Sequence, residues 1–356
     1  MFGSIRRKIH RISEVVQTKY CKHGIILIYH RVANLSSDPQ LLSVSAEHFE
    51  QQMDCLSRNY HPVSLVDLLQ FHINPGKMPD RCVAVTFDDG YSDNLHNAKP
   101  ILEKYHVPAT IFVTTGMIGS DREFWWDELE RILLLPNDLP DTLDLNILGK
   151  NFHWSLSADP IITTSRKSSE KNHVPQNISW NVTMTSLPTA RHYAYRDLHQ
   201  LLRPLDMVER DRVLKQLYLW AGIPETGRPN YRALTHDEIS YIADGELIDI
   251  GSHGRTHSVL KKQPAKKQEI EIIESKKILQ QILNREISSF SYPFGGRKDF
   301  TFQTMNLVKK TGYVSACANF PGPVTRWTNN YALPRNLVRD WDKDEFSRNL
   351  SMWYNG

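Results

Sequence analysis

Cysteine is scarce. Cys21, Cys55, Cys82 and Cys317 are the only four in 356 residues, far apart and without a CxxC pair, which excludes a disulfide scaffold and matches the usage of a reducing compartment. Charge of one sign is lacking as well: 43 Lys plus Arg stand against 40 Asp plus Glu, a formal net charge of +3, so nothing global calls for a nucleic-acid partner. Long apolar runs are missing. The longest near the start, Ile25 to Tyr29, is far short of the roughly 20 residues of a membrane span or the about 7 to 15 of a signal-peptide core. The expectation is a cytoplasmic protein, peripheral at a membrane surface at most, with no internal repeat and no long low-complexity tract.

What is present suits a folded chain, because 40% hydrophobic and 23% charged residues can bury a sizeable core. The length fits one large domain or two ordinary ones. Residues 1–23 are expected to form a basic amphipathic helix. There Phe2, Ile5, Ile9, Ile12 and Val16 recur at helical spacing among Arg6, Arg7, Lys8, Arg11, Lys19 and Lys22, with Glu14 the only acid. Such a helix suits attachment to an anionic membrane and equally suits packing across the base of a domain.

From residue 24 to 356, short β-rich apolar runs alternate with helical patterns, which indicates an α/β fold around a largely parallel sheet. Seven strands are expected: Gly24 to His30, Cys82 to Phe87, Pro108 to Thr114, Glu246 to Gly251, Ser288 to Pro293, Gly312 to Ala318 and Tyr331 to Arg335. Helical patterns span Glu47 to Arg58, Leu65 to His72, Asn94 to Tyr105, His236 to Asp244, Ala265 to Asn284, Phe302 to Lys310 and Asp344 to Trp353. The alternation breaks over residues 115–232, too long for a loop and therefore an insertion. Within it, Leu143 to Leu148 and Phe152 to Leu156 flank Gly149-Lys150 as a hairpin, and Arg196 to Trp220 reads as one or two helices.

Ionisable groups gather at three strand ends. Asp88-Asp89-Gly90 follows Cys82 to Phe87 directly; Asp-Gly alone is ordinary turn chemistry, but two carboxylates at a strand C-terminus sit where α/β enzymes place their sites. One could bind a metal while its neighbour accepts a proton. His253 and His257 follow the Leu247 to Gly251 run four residues apart, and imidazole with carboxylate is a zinc-type ligand set. Among 15 histidines such a pair is common by chance, so its weight comes from position. His30 ends the first strand in the same way, and strand C-termini of one sheet converge in space.

Thr86-Phe-Asp-Asp-Gly90, Ser252-His-Gly-Arg-Thr-His257, Phe290-Ser-Tyr-Pro-Phe-Gly295 and Leu333-Pro-Arg335, in this order, resemble the polysaccharide deacetylases, carbohydrate esterase family four. The resemblance covers roughly Gly24 to Trp353 apart from much of the insertion. It implies a distorted (β/α) barrel of about seven strands and a metal-dependent hydrolase that removes N-acetyl groups from amino sugars of a polysaccharide, oligosaccharide or lipid-linked glycan. By resemblance, Asp89, His253 and His257 are the metal ligands, for zinc first among divalent ions, Asp88 is the general base, and Pro293-Phe294 supplies an oxyanion-binding N–H. Two positions depart from the family pattern. Ser291 stands where an arginine usually orients the base, and Arg335 is similar to an arginine that a subset carries on the last strand. No Leu-x-His occurs near the C-terminus; Tyr29-His-Arg-Val32 resembles a segment of circularly permuted exopolysaccharide-modifying members, with His30 as general acid. Phe124-Trp-Trp-Asp-Glu128 is similar to a segment of that subset, suited more to anchoring the insertion than to stacking on sugar. Trp341 is expected to line the site. Removal of a formyl group from a lipid-linked sugar, or glycan binding without catalysis, are the alternatives.

Overall fold

The computed structural model describes residues 22–74, 77–157 and 180–355. The expected N-terminal helix over residues 1–23 lies almost wholly outside them.

Seven parallel strands make the main sheet: β1 Gly24–Tyr29, β2 Cys82–Phe87, β3 Ala109–Val113, β4 Ile248–Ser252, β5 Ser289–Ser291, β6 Ser315–Cys317 and β7 Asn336–Leu337. Their spatial order is β6-β5-β4-β3-β2-β1-β7, with His61–Pro62 pairing beside the start of β2. The sheet curls until its two ends meet in one segment. Leu333 bridges Cys317 of β6 in parallel, and three residues later Asn336 pairs with Leu27 of β1. This is a distorted (β/α) barrel. The expected last strand, Tyr331 to Arg335, is displaced in chain position: the ladder to β1 forms at Asn336–Leu337, because the preceding residues turn toward β6 instead.

β1, β2 and β3 are buried along their full length, as expected of parallel strands covered on both faces. Alternate residues serve two cores. Ile25, Leu27 and Tyr29 pack outward with Phe49, Met53 and Leu56 of the Ala46–Asn59 helix. Ile26, Ala84, Phe112, Cys317 and Leu333 pack together on the other face, with Leu65 and Leu68 of the Leu65–Ile73 helix. The helices over Ala265–Leu283 and Phe302–Lys310 contribute Ile272, Leu279 and Val308 to the outer core. The expected helix from Asn94 to Tyr105 is split: Asn94–Ala98 winds as a π-helix before the α-helix Lys99–Tyr105.

The chain divides into two compact units. The barrel comprises the stretch ending at Asn34 with Ser43–Ile118 and Leu234–Gly356, and the second unit comprises Leu35–Leu42 with Gly119–Ala233. In the second unit, Thr142–Ile147 and Lys150–Ser155 form an antiparallel hairpin. Its turn residues Leu148 and Gly149 both have positive φ (50° and 78°), the geometry that matches strand twist in a two-residue turn. Two helices, Ala190–Leu202 and Met207–Ala221, follow the hairpin, and a helix over Trp125–Leu133 that the sequence pattern did not signal precedes it. Trp125 and Trp126 are buried and Phe124 stacks on Trp126 at 5.0 Å, so this aromatic run serves packing within the unit. Leu35–Leu42 joins the unit through Val182 N–H donating to the Pro39 carbonyl (2.9 Å) and the Gln40 amide donating to Tyr195 Oη (2.8 Å).

Candidate active site

Strand β2 delivers the two carboxylates and then breaks. Asp89 has φ 74° and Gly90 φ 80°, a left-handed reversal that aims both acids off the strand end instead of alternating them across the sheet. Glycine is required at 90, since a Cβ there would meet Val113 Cα at 3.3 Å with an unfavourable φ. His257 (φ 52°) and Phe294 (φ 61°) are also left-handed. Such conformations in non-glycine residues cost of order 1–3 kcal/mol each and persist where the surroundings over-determine them, commonly at functional sites.

Asp89, His253 and His257 come together, each offering a ligand atom within 4.8 Å of the others. Asp89 Oδ1 lies 3.2 Å from His257 Nε2 and 3.5 Å from His253 Nε2, yet this buried oxygen accepts no hydrogen bond. His253 Nδ1 sits 2.9 Å from the Ser291 carbonyl. That contact requires the proton on Nδ1 and turns the Nε2 lone pair toward Asp89, the orientation a metal-ligating imidazole needs. An orphaned buried carboxylate oxygen facing two imidazole nitrogens fits a divalent cation. Burial lifts the Asp89 carboxyl above its ordinary range while His30 and His253 pull it down; a cation bonded to that oxygen keeps such a group ionised. The donor set suits zinc and other divalent ions alike.

Asp88 is treated differently. Arg335 Nη1 and Nη2 donate to its two oxygens at 2.7 and 2.6 Å, and Nη2 also reaches Ser291 Oγ at 2.8 Å. The same guanidinium donates through Nε to the Ala318 carbonyl (2.8 Å) and through Nη1 to Thr86 Oγ1 (3.1 Å). Burial pushes the Asp88 carboxyl up, but Arg335 and His253 outweigh it and hold it far below the usual carboxylate range. Asp88 is thus a fixed, ionised carboxylate 3.7 Å from His253 Nε2.

His30 follows β1 on the neighbouring strand. Tyr29 is in register with Phe87, and the Asp88 N–H donates to the Tyr29 carbonyl at 2.9 Å. Burial pushes the His30 imidazole below its ordinary value against the pull of Asp89 and Asp88. The backbone around it is clamped by residues the motif reading did not single out. Asn94 Nδ2 donates to the His30 carbonyl (2.9 Å), while Asp93 accepts from the Val32 N–H (3.0 Å) and Arg31 Nε (2.9 Å). Pro293 is buried, and the Phe294 ring meets His257 edge-on at 4.7 Å. Trp341 packs with Trp353, 6.0 Å between ring centroids, and its carbonyl accepts from the Gln52 amide. Asp340 beside it binds Ser45 and His48 at the start of the Ala46–Asn59 helix.

Residues 75–138 and 220–316 match the sequence profile of the polysaccharide deacetylases. YxkH of Bacillus subtilis (strain 168), whose name assigns it to that family, is 31% identical over 160 residues, 44% of this chain and 56% of its own. A poly-beta-1,6-N-acetyl-D-glucosamine N-deacetylase of Staphylococcus aureus (strain MSSA476) is 36% identical over 112 residues, 28% of this chain and 38% of its own. Among solved structures, the Streptococcus pyogenes deacetylase PplD in complex with acetate superposes with a TM-score of 0.55 at 15% identity, covering 93% of this chain and 99% of PplD. IcaB from Ammonifex degensii gives 0.55 at 16% identity, covering 94% and 98%.

Over residues 75–138 and 220–316 the chain is similar to the polysaccharide deacetylase family. The match spans about half the length of YxkH and less of the staphylococcal protein, and the two solved structures share the fold. At position 291 a serine hydroxyl meets Arg335, which comes from the barrel's closing segment. Ser291 Oγ remains part of the arrangement, 3.2 Å from Asp88 Oδ2.

Proposed function

We propose that the chain hydrolyses the N-acetyl group of an amino sugar in a polysaccharide, oligosaccharide or lipid-linked glycan. One observation carries the reading: a buried Asp-His-His ligand set stands beside a carboxylate kept ionised by a two-pronged arginine. A divalent cation, zinc first, held by Asp89, His253 and His257 would supply Lewis acidity, lowering the pKa of water and polarising the amide carbonyl.

The chain's own groups do the rest. Asp88 accepts a proton from the water as its oxygen bonds to the acyl carbon, and Arg335 keeps that carboxylate ionised and oriented until then. His30 donates a proton to the departing nitrogen as the carbon–nitrogen bond breaks, so that acetate and a free amine leave. The Phe294 N–H is assigned to the oxyanion. The names of the relatives support a glycan rich in N-acetylglucosamine as substrate.

The test is acetate release by the zinc-loaded chain from β-1,6-linked N-acetylglucosamine oligomers and from N-acetylated lipid-linked sugars, with formate release from the formylated counterparts run alongside. Release that stops on chelation and in Asp88→Asn supports the reading. Absence of acetate from every substrate, with metal bound, overturns it.

A further inference from the structure

The loop carrying both imidazole ligands is held from behind by one face of the Ala265–Leu283 helix. Ser275 and Glu271 lie four residues apart, hence on the same face. Ser252, the residue before His253, donates from Oγ to Ser275 Oγ at 2.7 Å. Glu271 takes the middle of the loop: its Oε2 accepts from the Arg255 and Thr256 N–H groups at 2.9 and 2.8 Å, and its Oε1 from Thr256 Oγ1 at 2.6 Å. Thr256 Oγ1 also contacts Ser258 Oγ at 2.8 Å. The carboxylate therefore engages the two residues immediately before His257, whose own φ is 52°.

Two further features tie Glu271 to the ligands. Its side chain passes so close to Gly254 that a Cβ there would stand 3.4 Å from Oε2, at a φ of 74°, so the loop is built around the carboxylate. Glu271 is 7% exposed, and among the described residues no Lys, Arg or His pairs with it. A carboxylate satisfied only by N–H and O–H donors has no ionic partner of its own, and a cation held by Asp89, His253 and His257 would supply a counter-charge.

We propose that Glu271 is a positioning residue for the metal centre: it fixes the loop conformation that aims His257 and adds negative charge behind the cation. The proposal rests on the metal-centre reading above and goes beyond it by assigning affinity to a residue that touches no metal. Groups that orient metal ligands typically change affinity about 10- to 100-fold when altered.

The test is direct zinc titration of the metal-free full chain, with chelator competition, for wild type, Glu271→Gln and Thr256→Val, and thermal unfolding of each metal-free protein. Glu271→Gln is nearly isosteric but loses the charge and one acceptor. The expected result is affinity about 10- to 100-fold weaker, with the metal-free unfolding midpoint close to wild type; Thr256→Val, which removes one of the three contacts, should fall between. Wild-type affinity in Glu271→Gln overturns the proposal, as does a lowered metal-free midpoint with affinity unchanged, which marks a structural residue only. Failure of the wild type to bind zinc would instead overturn the metal-centre reading and the proposal with it.

Discussion

Arg335 and Asp88, 247 residues apart in sequence, meet through two parallel hydrogen bonds of 2.7 and 2.6 Å. The pairing is possible because one segment closes the barrel between β6 and β1, and so delivers Arg335 beside the end of β2. Paired N–H donors in a fixed plane are a guanidinium property that an ammonium lacks. Arg335→Lys is expected to keep the charge, retain metal and lose about 10- to 100-fold in turnover, the worth of one charge-assisted hydrogen bond of roughly 1.5–3 kcal/mol. Steady-state acetate release beside metal analysis checks it, and undiminished turnover would remove the orienting role.

Ser291 contributes one neutral contact to the same carboxylate, so Ser291→Ala should cost only a few-fold, near 1 kcal/mol. Ser291→Arg is the sharper variant. It would force a second guanidinium into a fully buried place where Arg335 already satisfies Asp88, and a buried unpaired charge is strongly destabilising. The measurement is the unfolding midpoint, expected to drop. A more stable and more active Ser291→Arg would mean that the two arginine positions are compatible.

Zinc binding should stabilise the fold by mass action. At a hundredfold excess over the dissociation constant the gain is about 2.7 kcal/mol, visible as a raised unfolding midpoint. The gain should vanish in Asp89→Ala and in His257→Ala. A metal-dependent shift of unchanged size in either variant would move the site elsewhere.

His30 is assigned to protonating the leaving amine, a step that matters only when the leaving group is a poor one. His30→Ala should therefore lose at least about 100-fold against an N-acetyl amide while hydrolysing an activated aryl acetate at close to the wild-type rate. Equal losses on both substrates would indicate that His30 acts on attack or on metal binding instead. Asn94→Ala, which frees the His30 carbonyl, is expected to show the same selectivity in weaker form.

The second unit should be acid-sensitive. Burial pushes His192 and His199 down to about 4. An imidazole with a depressed folded-state value contributes stability that is complete above its ordinary value near 6.5 and is lost as pH falls from there to about 4. The loss is up to roughly 3 kcal/mol per histidine. Burial raises Glu128 and Glu130 in the same unit, which contributes the opposite slope, so the informative quantity is the difference from a His192→Phe/His199→Phe variant. His199 lies 4.8 Å from the Trp125 ring, which makes tryptophan fluorescence the probe. Parallel stability curves for the two proteins between pH 7 and about 4 would contradict it.

Local pattern determined much of this protein. Continuous apolar runs marked buried parallel strands, and 3.6-residue periodicity marked the Ala265–Leu283 and Phe302–Lys310 helices, because these signals depend only on which face of a short segment leaves water. The positions of Asp88, Asp89, His253, His257 and His30 just after strands were equally visible, since a strand end is a local event. Tertiary structure decided what no window of sequence contains. The last ladder forms at Asn336–Leu337, not Tyr331 to Arg335, because barrel closure rather than β-propensity selects the residues that pair with β1. Leu35–Leu42 folds with Gly119–Ala233 through contacts made far along the chain. Glu271 sits in a helix dense in Lys and Glu, where its letter is indistinguishable from that of a solvated neighbour. Only the packing of that helix behind the His253–His257 loop turns it into a buried acceptor of three hydrogen bonds.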